Sequence, residues 1–207
     1  MAVHLVTHPL AQDALAALRD VKTQPARFRR LAERLSLFLA AEALKDLPTK
    51  RVTVQTPMGD AEVQRVTGDV VVVPVLRAGL GMLDAVLRLI PWARVGHIGL
   101  RRDEATAIAS RYYSRLPSNM ASSYVLMVDP MLATGGSAVD AIQVLADAGA
   151  HDIRILCIVA APEGVAAVEA AHPHVRIYTP VIDKGLNERK FIVPGLGDFG
   201  DRLYGTE

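Results

Sequence analysis

Between residues 69 and 183 the chain alternates two kinds of apolar pattern. DVVVVPV (69–75), ARVGHIGL (93–100), SYVLMVD (123–129), DIRILCIVAAP (152–162) and VRIYTPVID (175–183) are short, nearly unbroken apolar runs. Between them lie GLGMLDAVLRLI (79–90), a stretch from about 136 to 148, and GVAAVEAA (164–171), where apolar residues return every three or four positions. Continuous runs of this length read as strands covered on both faces, and the periodic segments read as helices. Their alternation predicts an α/β fold built on a parallel sheet flanked by helices.

Upstream the pattern is helical. Pro9 suits the first turn of a short helix through Arg19. PARFRRLAERLSLFLAAEAL, from Pro25, spaces Phe28, Leu31, Leu35 and Phe38 three or four apart and predicts an amphipathic helix ended by Leu47-Pro48. Its arginines read as a solvated face or a subunit contact in preference to a polyanion site, because Glu33 and Glu42 dilute them. RVTVQTP and AEVQRV flank Met58-Gly59-Asp60 and read as a hairpin. Residues 101–122 break the alternation: they are polar, and loops of that length are often lids or arms over a site.

Composition narrows the class. The chain has 207 residues, 51% of them hydrophobic, enough for the core of one domain. The formal net charge is +1, so nothing global calls for nucleic acid or an anionic membrane. A single cysteine, Cys157, excludes an intrachain disulfide framework, fits a reducing compartment, and reads as a buried structural thiol because its strand is apolar. MAVHLVTHPLAQDAL lacks the basic region and continuous apolar core of a signal peptide, and no uncharged apolar run reaches the ~18 residues of a membrane helix. The expectation is a cytoplasmic protein with neither a nucleic-acid nor a membrane partner.

The chemistry concentrates in VLMVDPMLATGGSAVDAI (125–142). An apolar strand runs into Asp129, a small-residue turn follows at Ala133-Thr134-Gly135-Gly136-Ser137, and a helix begins. Adjacent glycines let the backbone curl closely around a ligand, and the free N–H groups and positive dipole end of the helix point into the same space. Thr134 and Ser137 add hydroxyls, giving a cradle for a phosphate monoester. It is not a Walker A loop, since no Gly-Lys-Ser/Thr follows. Asp129, at the strand end, would repel phosphate but accept hydrogen bonds from a vicinal diol, and phosphate plus diol points to a ribose 5-phosphate. The bland alternative is an ordinary strand-to-helix turn with an N-cap.

Two more segments carry candidate chemistry. In VVVPVLRAGLGM (71–82) a strand ends at Arg77 and a small-residue turn opens a helix. An arginine beside the positive end of a helix is unfavourable without an anion, which favours a phosphate contact over a surface side chain. GLRRDEATAIASRYYSRLP (99–117) interleaves Arg101, Arg102, Arg111 and Arg115 with acids and tyrosines, and one or two of these arginines could reach a polyanionic substrate. His172-Pro173-His174 lacks the acidic or thiol partners of a metal site and reads as a loop, and Trp92 reads as a hydrophobic anchor. The tail, PGLGDFGDRLYGTE, spells G-x-G-x-x-G at Gly195, Gly197 and Gly200, but the few residues after it leave no room for the helix and second strand of a dinucleotide-binding unit.

VDPMLATGGS resembles the 5-phosphoribosyl-1-pyrophosphate (PRPP) signature of type I phosphoribosyltransferases, in the form found in the uracil phosphoribosyltransferase family. The similarity runs through nearly the whole chain, including HPL at His8, LRAGLGM, YYSRLP and FIVPGLGDFGDRLYGT. It implies a type I phosphoribosyltransferase-like α/β sheet with a β-arm and a small C-terminal hood over the active site. One domain would span 1–207: N-terminal helices over 1–50, a core over about 69–180 and a uracil-binding segment over 181–207. The implied reaction is uracil + PRPP → UMP + pyrophosphate, with Mg2+, in pyrimidine salvage.

The same resemblance assigns residues. Arg77 and Arg102 fall on the pyrophosphate side of PRPP, with the turn at 77–79 as a loop that could contain an unusual peptide bond. Asp129, Pro130, Met131, Leu132, Ala133, Thr134, Gly135, Gly136 and Ser137 hold the ribose and its 5-phosphate. Ile192, Gly197, Asp198 and Phe199 form the uracil pocket, Phe199 offering an apolar surface and Asp198 also facing PRPP and orienting N1. Arg77, Arg102 and Asp198 are the catalytic set. Type I enzymes often show paired acids where this chain has Asp129-Pro130, so Mg2+ is expected on substrate oxygens and water, with no protein metal site. Arg101-Arg102-Asp103 and AIAS (107–110) depart from the family's usual arm. A homodimer or homotetramer is implied, and GTP is an effector of some relatives. Two alternatives stay open: a phosphoribosyltransferase for another nucleobase, and a non-catalytic nucleotide- or RNA-binding regulator, which would call for a broader basic face.

Overall fold

The computed structural model describes residues 3–102 and 109–206, with the side chains of 101–111 outside that description. Its N-terminal part comprises β1 (Val3–Leu5), α1 (Pro9–Arg19), α2 (Pro25–Ala43), and the antiparallel hairpin β2 (Thr49–Thr56) and β3 (Gly59–Val66). Next come β4 (Asp69–Leu76), α3 (Leu80–Leu89), β5 (Arg94–Val95), β6 (His97–Arg102), β7 (Ala109–Arg115) and β8 (Ser123–Val128). The chain continues through β9 (Met131–Leu132), α4 (Gly136–Asp147), β10 (Asp152–Leu156), β11 (Val159–Ala160), α5 (Pro162–Ala171) and β12 (Arg176–Thr179). It closes with β13 (Gly185–Leu186), β14 (Ile192–Val193) and α6 (Phe199–Tyr204).

The central sheet runs β1-β12-β10-β8-β4-β6-β7, with β5 alongside β4. Every pairing is parallel except the last, where β6 and β7 form an antiparallel ribbon at the edge. The expected α/β sheet is therefore present, and residues predicted as a polar interruption supply its arm. Two cores cover the sheet. Val70 and Val72 of β4 pack with buried residues of α1, α2, α3 and α6, while Val71, Val73 and Val75 pack with α4 and its neighbours. This alternation, invisible in an all-valine run, follows from successive side chains pointing to opposite faces.

Four boundaries differ from the sequence pattern. Helix α2 stops at Ala43, short of Pro48, where the Leu44 N–H closes on Ala40 and Asp46 turns towards Arg154 and Arg176. ARVGHIGL is two strands, interrupted at Gly96, where Leu116 and Pro117 crowd the Cβ position. DIRILCIVAAP breaks after Leu156, where the N–H groups of Ile158 and Val159 both turn to the carbonyl of Pro130. β12 ends at Thr179, since Pro180 has no N–H for the ladder. Trp92, expected as an anchor, is 57% exposed.

Arg154 is fully buried in β10, a cost the fold meets with partners on every side. It donates to both oxygens of Asp152 at 2.8 and 2.9 Å, to Asp46 and to the carbonyl of Ala43, and lies over the ring of Tyr124. Arg176 bonds the same two carboxylates, holding the end of α2 to the sheet. Although burial opposes it, the arginines hold Asp46 and Asp152 below the usual carboxylate range. Among the described residues no helix is long and apolar enough to cross a membrane.

Candidate active site

The parallel strands β4 and β8 are adjacent, and the connections leaving their carboxyl ends face the same side, where open α/β sheets bind ligands. A cleft of about 900 Å3 lies there.

Its floor is the segment leaving β8. Asp129 follows the strand, and its N–H donates to Leu156 of the neighbouring β10. Residues 131–132 then form β9 and pair in parallel with β11, so the turn is fastened from outside rather than left as a free loop. Gly135 has φ +85°, and a Cβ there would stand 2.7 Å from the Cβ of Ala167 and 2.9 Å from the carbonyl oxygen of Gly164. Only glycine combines that backbone with so close an approach to α5. α4 starts immediately afterwards with no acidic residue in its first turn, so its unpaired N–H groups and dipole present uncompensated positive potential beside Thr134 and Ser137. Asp129 is half-buried at the edge of this cradle. Desolvation pushes its carboxyl up to about 6, against the opposing pull of the Met131 N–H.

One wall is the turn at the end of β4. The Leu76–Arg77 peptide bond is cis, at the start of the turn expected to hold an unusual bond. Arg77 is exposed to the cleft and makes no ion pair among the described residues. The facing wall is α6. Asp198 caps this helix, its Oδ1 accepting from the N–H of Asp201 at 3.0 Å. The Tyr204 hydroxyl donates to the carbonyl of Arg77 at 3.3 Å and closes the wall onto the turn.

Thus Arg77, Asp129, Met131, Leu132, Ala133, Thr134, Gly135, Ser137 and Asp198 line one cleft, although they are scattered across more than 120 positions of the chain. Pro130 and Gly136 belong to the same turn but are not in the lining, Pro130 turning its carbonyl to β11. Ile192, Gly197 and Phe199 also stand outside it. The Phe199 ring, expected to offer a surface, is 2% exposed and packs edge-on against Phe28 at 5.2 Å; the main chain is what this residue has left to present. Arg102 closes β6, whose Leu100 lines the cleft, but its side chain lies outside the described residues. Asp201, Tyr204 and Thr206 line the cleft and were not singled out from the sequence; their only signal was membership in the tail DRLYGT.

Known proteins resemble this chain along its length. The family model described as uracil phosphoribosyltransferase matches residues 5–206. A uracil phosphoribosyltransferase of Halalkalibacterium halodurans is 48% identical, covering 99% of both chains. One of Clostridium beijerinckii is 50% identical, covering 98% of this chain and 97% of the relative. Among solved structures, a protein of Aquifex aeolicus superimposes with a TM-score of 0.94 at 35% identity, covering 99% of each chain.

Proposed function

The chain belongs to the uracil phosphoribosyltransferase family, and from that membership and the cleft we propose that it transfers the 5-phosphoribosyl group of PRPP to N1 of uracil, giving UMP and pyrophosphate. One observation carries the reading at the level of the site: an acid-free helix N-terminus, a half-buried carboxylate and an exposed arginine share a single cleft. Together they match a 5-phosphate, a ribose diol and a pyrophosphate.

In the transfer the bond from C1′ to the pyrophosphate oxygen breaks, the N1–C1′ bond forms, and the N1 proton leaves uracil. Positive charge builds on the ribose ring and negative charge on the departing pyrophosphate. Catalysis then requires cations aimed at the leaving group and a ribose held in one place. Arg77 supplies the first from the end of β4, with Arg102 assigned beside it by family resemblance. The N–H groups at the start of α4, with Thr134 and Ser137, take the 5-phosphate. With its carboxyl at about 6, Asp129 is mainly ionised at neutral pH and accepts from the ribose hydroxyls.

Uracil recognition falls to the tail. Main-chain groups at Ile192, Gly197 and Phe199 would pair with its carbonyls and N3–H, and Asp198 would orient the N1 end. Cytosine, with its donor and acceptor reversed at N3 and C4, would leave buried groups unpaired at about 1–3 kcal/mol each. The cleft donors Asp129, Asp198, Asp201, Thr134 and Ser137 present oxygen, which suits Mg2+, but no cluster of three or more metal-binding side chains occurs among the described residues. PRPP oxygens and water would complete the coordination, and the ion would neutralise charge on pyrophosphate. The same membership makes a homodimer or homotetramer, and GTP as an effector, readings that sedimentation with and without GTP would test.

Pyrophosphate release from PRPP and Mg2+ in the presence of uracil, cytosine or purine bases tests the assignment. Release with uracil alone is expected, and none with uracil would overturn it.

A further inference from the structure

We propose that Arg19 and Asp183 are positioning residues, which set the distance between the phosphate cradle and the base-binding tail without touching substrate. This rests on the reading above that Ile192 and Gly197 to Phe199 hold the base.

The two residues are 164 positions apart and meet in a bidentate pair, Arg19 Nη2 donating to Asp183 Oδ1 at 2.6 Å and Nη1 to Oδ2 at 2.9 Å. Asp183 is 8% exposed. Both remaining bonds of this pair go to one residue of the tail: Gly195 donates its N–H to Asp183 Oδ2 at 2.9 Å, and its carbonyl accepts from Arg19 Nη1 at 2.9 Å. Gly195 is thereby held by both of its main-chain groups. It has φ +58°, and a Cβ would lie 2.2 Å from the carbonyl oxygen of Ile192, so the turn accepts no other residue without moving.

The other end of the clamp reaches the cradle. Asp183 donates its own N–H to the carbonyl of Ala160 at 2.8 Å. Ala160 lies in β11 and is paired with Leu132 of β9, the strand that fastens the phosphate turn. A path of hydrogen bonds thus runs from the Leu132 carbonyl, which accepts from the Ala161 N–H at 2.8 Å, through the Ala160–Ala161 peptide to Asp183 and on to Gly195, two residues before Gly197. Among the described residues the tail has the two-residue strands β13 and β14 and an isolated bridge from Ile182 to Ala160, and the residues between β14 and α6 pair with no strand. Arg202 of α6 adds a second strap to the same end of α1, donating to the carbonyls of Leu18 and Leu196 at 2.6 and 2.7 Å. Because transfer requires N1 to meet C1′ in line, a displacement of the tail by a fraction of an ångström weakens base capture while leaving the phosphate turn intact.

The test is steady-state kinetics on Arg19→Met, Arg19→Lys and Asp183→Asn, varying uracil and PRPP independently well below each variant's melting temperature. Arg19→Met is expected to raise KM for uracil about tenfold or more with KM for PRPP within about twofold, and Arg19→Lys to recover part of the loss by keeping the charge. If Arg19→Met does not fold, Arg19→Lys and Asp183→Asn should show the same split. An unchanged uracil KM, or equal rises in both KM values, would overturn the proposal. Gly197→Ala separates its failure from that of the reading beneath it. If Gly197→Ala raises uracil KM and the Arg19 variants do not, the clamp alone is wrong. If Gly197→Ala leaves uracil KM unchanged, the tail assignment falls and takes the clamp with it.

Discussion

Tyr204 donates its hydroxyl to the carbonyl of Arg77 at 3.3 Å, joining the last helix to the turn that carries an exposed cation. The bond spans 127 positions and links two walls of the cleft. Tyr204→Phe keeps the ring and removes only the hydroxyl. A hydrogen bond at a partly exposed site contributes about 0.5–1 kcal/mol, so KM for PRPP should rise roughly two- to fivefold. Thermal melting of the same variant should fall by only about 1–4 °C, the same bond energy spread over a chain of this size.

Arg77→Ala should separate function from stability. The side chain is exposed and has no ion pair among the described residues, so the melting temperature should be unaffected. In kcat/KM for PRPP the loss should be about 2–5 kcal/mol, as for a charge contact made in a water-excluded complex. Wild-type kinetics in the variant would remove Arg77 from the site.

Asp129 should give a distinctive pH signature. Its folded carboxyl lies at about 6, above the ordinary 3.8, so the folded state binds this proton more tightly than the unfolded chain. The carboxyl therefore costs nothing below pH 4, and its penalty grows as pH rises to about 6. Asp129→Asn removes that penalty and should stabilise the unliganded protein at pH 7.5 by about 1–3 kcal/mol, with little gain at pH 4. PRPP affinity should fall in the same variant. Urea denaturation at both pH values, compared with the wild type, is the measurement.

Arg154→Met should be the most damaging of these changes to stability. It leaves Asp46 and Asp152 facing each other through Arg176 alone, and breaking a buried ion pair costs about 3–5 kcal/mol. The two aspartates are held low, so what they contribute is present above the ordinary carboxylate range and is lost as pH falls below it. The wild type should thus lose stability towards acid more steeply than the variant, as followed by melting temperature from pH 7 to pH 3.

Cys157 is fully buried, and desolvation pushes its thiol up to about 12. Native protein should not react with a disulfide reagent over an hour at pH 8, and denatured protein should titrate one thiol. Rapid reaction in the native state would place Cys157 elsewhere.

The phosphate cradle was legible because its cause is local. Small residues between an apolar strand and a helix can be read from ten consecutive letters, and Gly135 adopts the left-handed conformation such a turn needs. The sheet was legible for a similar reason, since five apolar runs separated by helical periodicity leave few arrangements. Strand interruptions at Gly96 and after Leu156 were not, because Leu116 and the Pro130 carbonyl cause them from distant parts of the chain. Phe199 shows the limit most plainly: its place in the tail fitted a surface for a base, but Phe28, 171 positions away, draws the ring into the core.

By itself, then, the sequence determined the elements, the anion-binding turn and, through its resemblance, the chemistry to expect. Tertiary structure alone decided which residues face one another: Tyr204 on Arg77, Arg19 on Asp183 and Gly195, and Arg154 between two aspartates. The division is physical. Periodicity and turn chemistry act over a few residues and are written consecutively, whereas a hydrogen bond between side chains more than a hundred positions apart exists only after the sheet has brought them together.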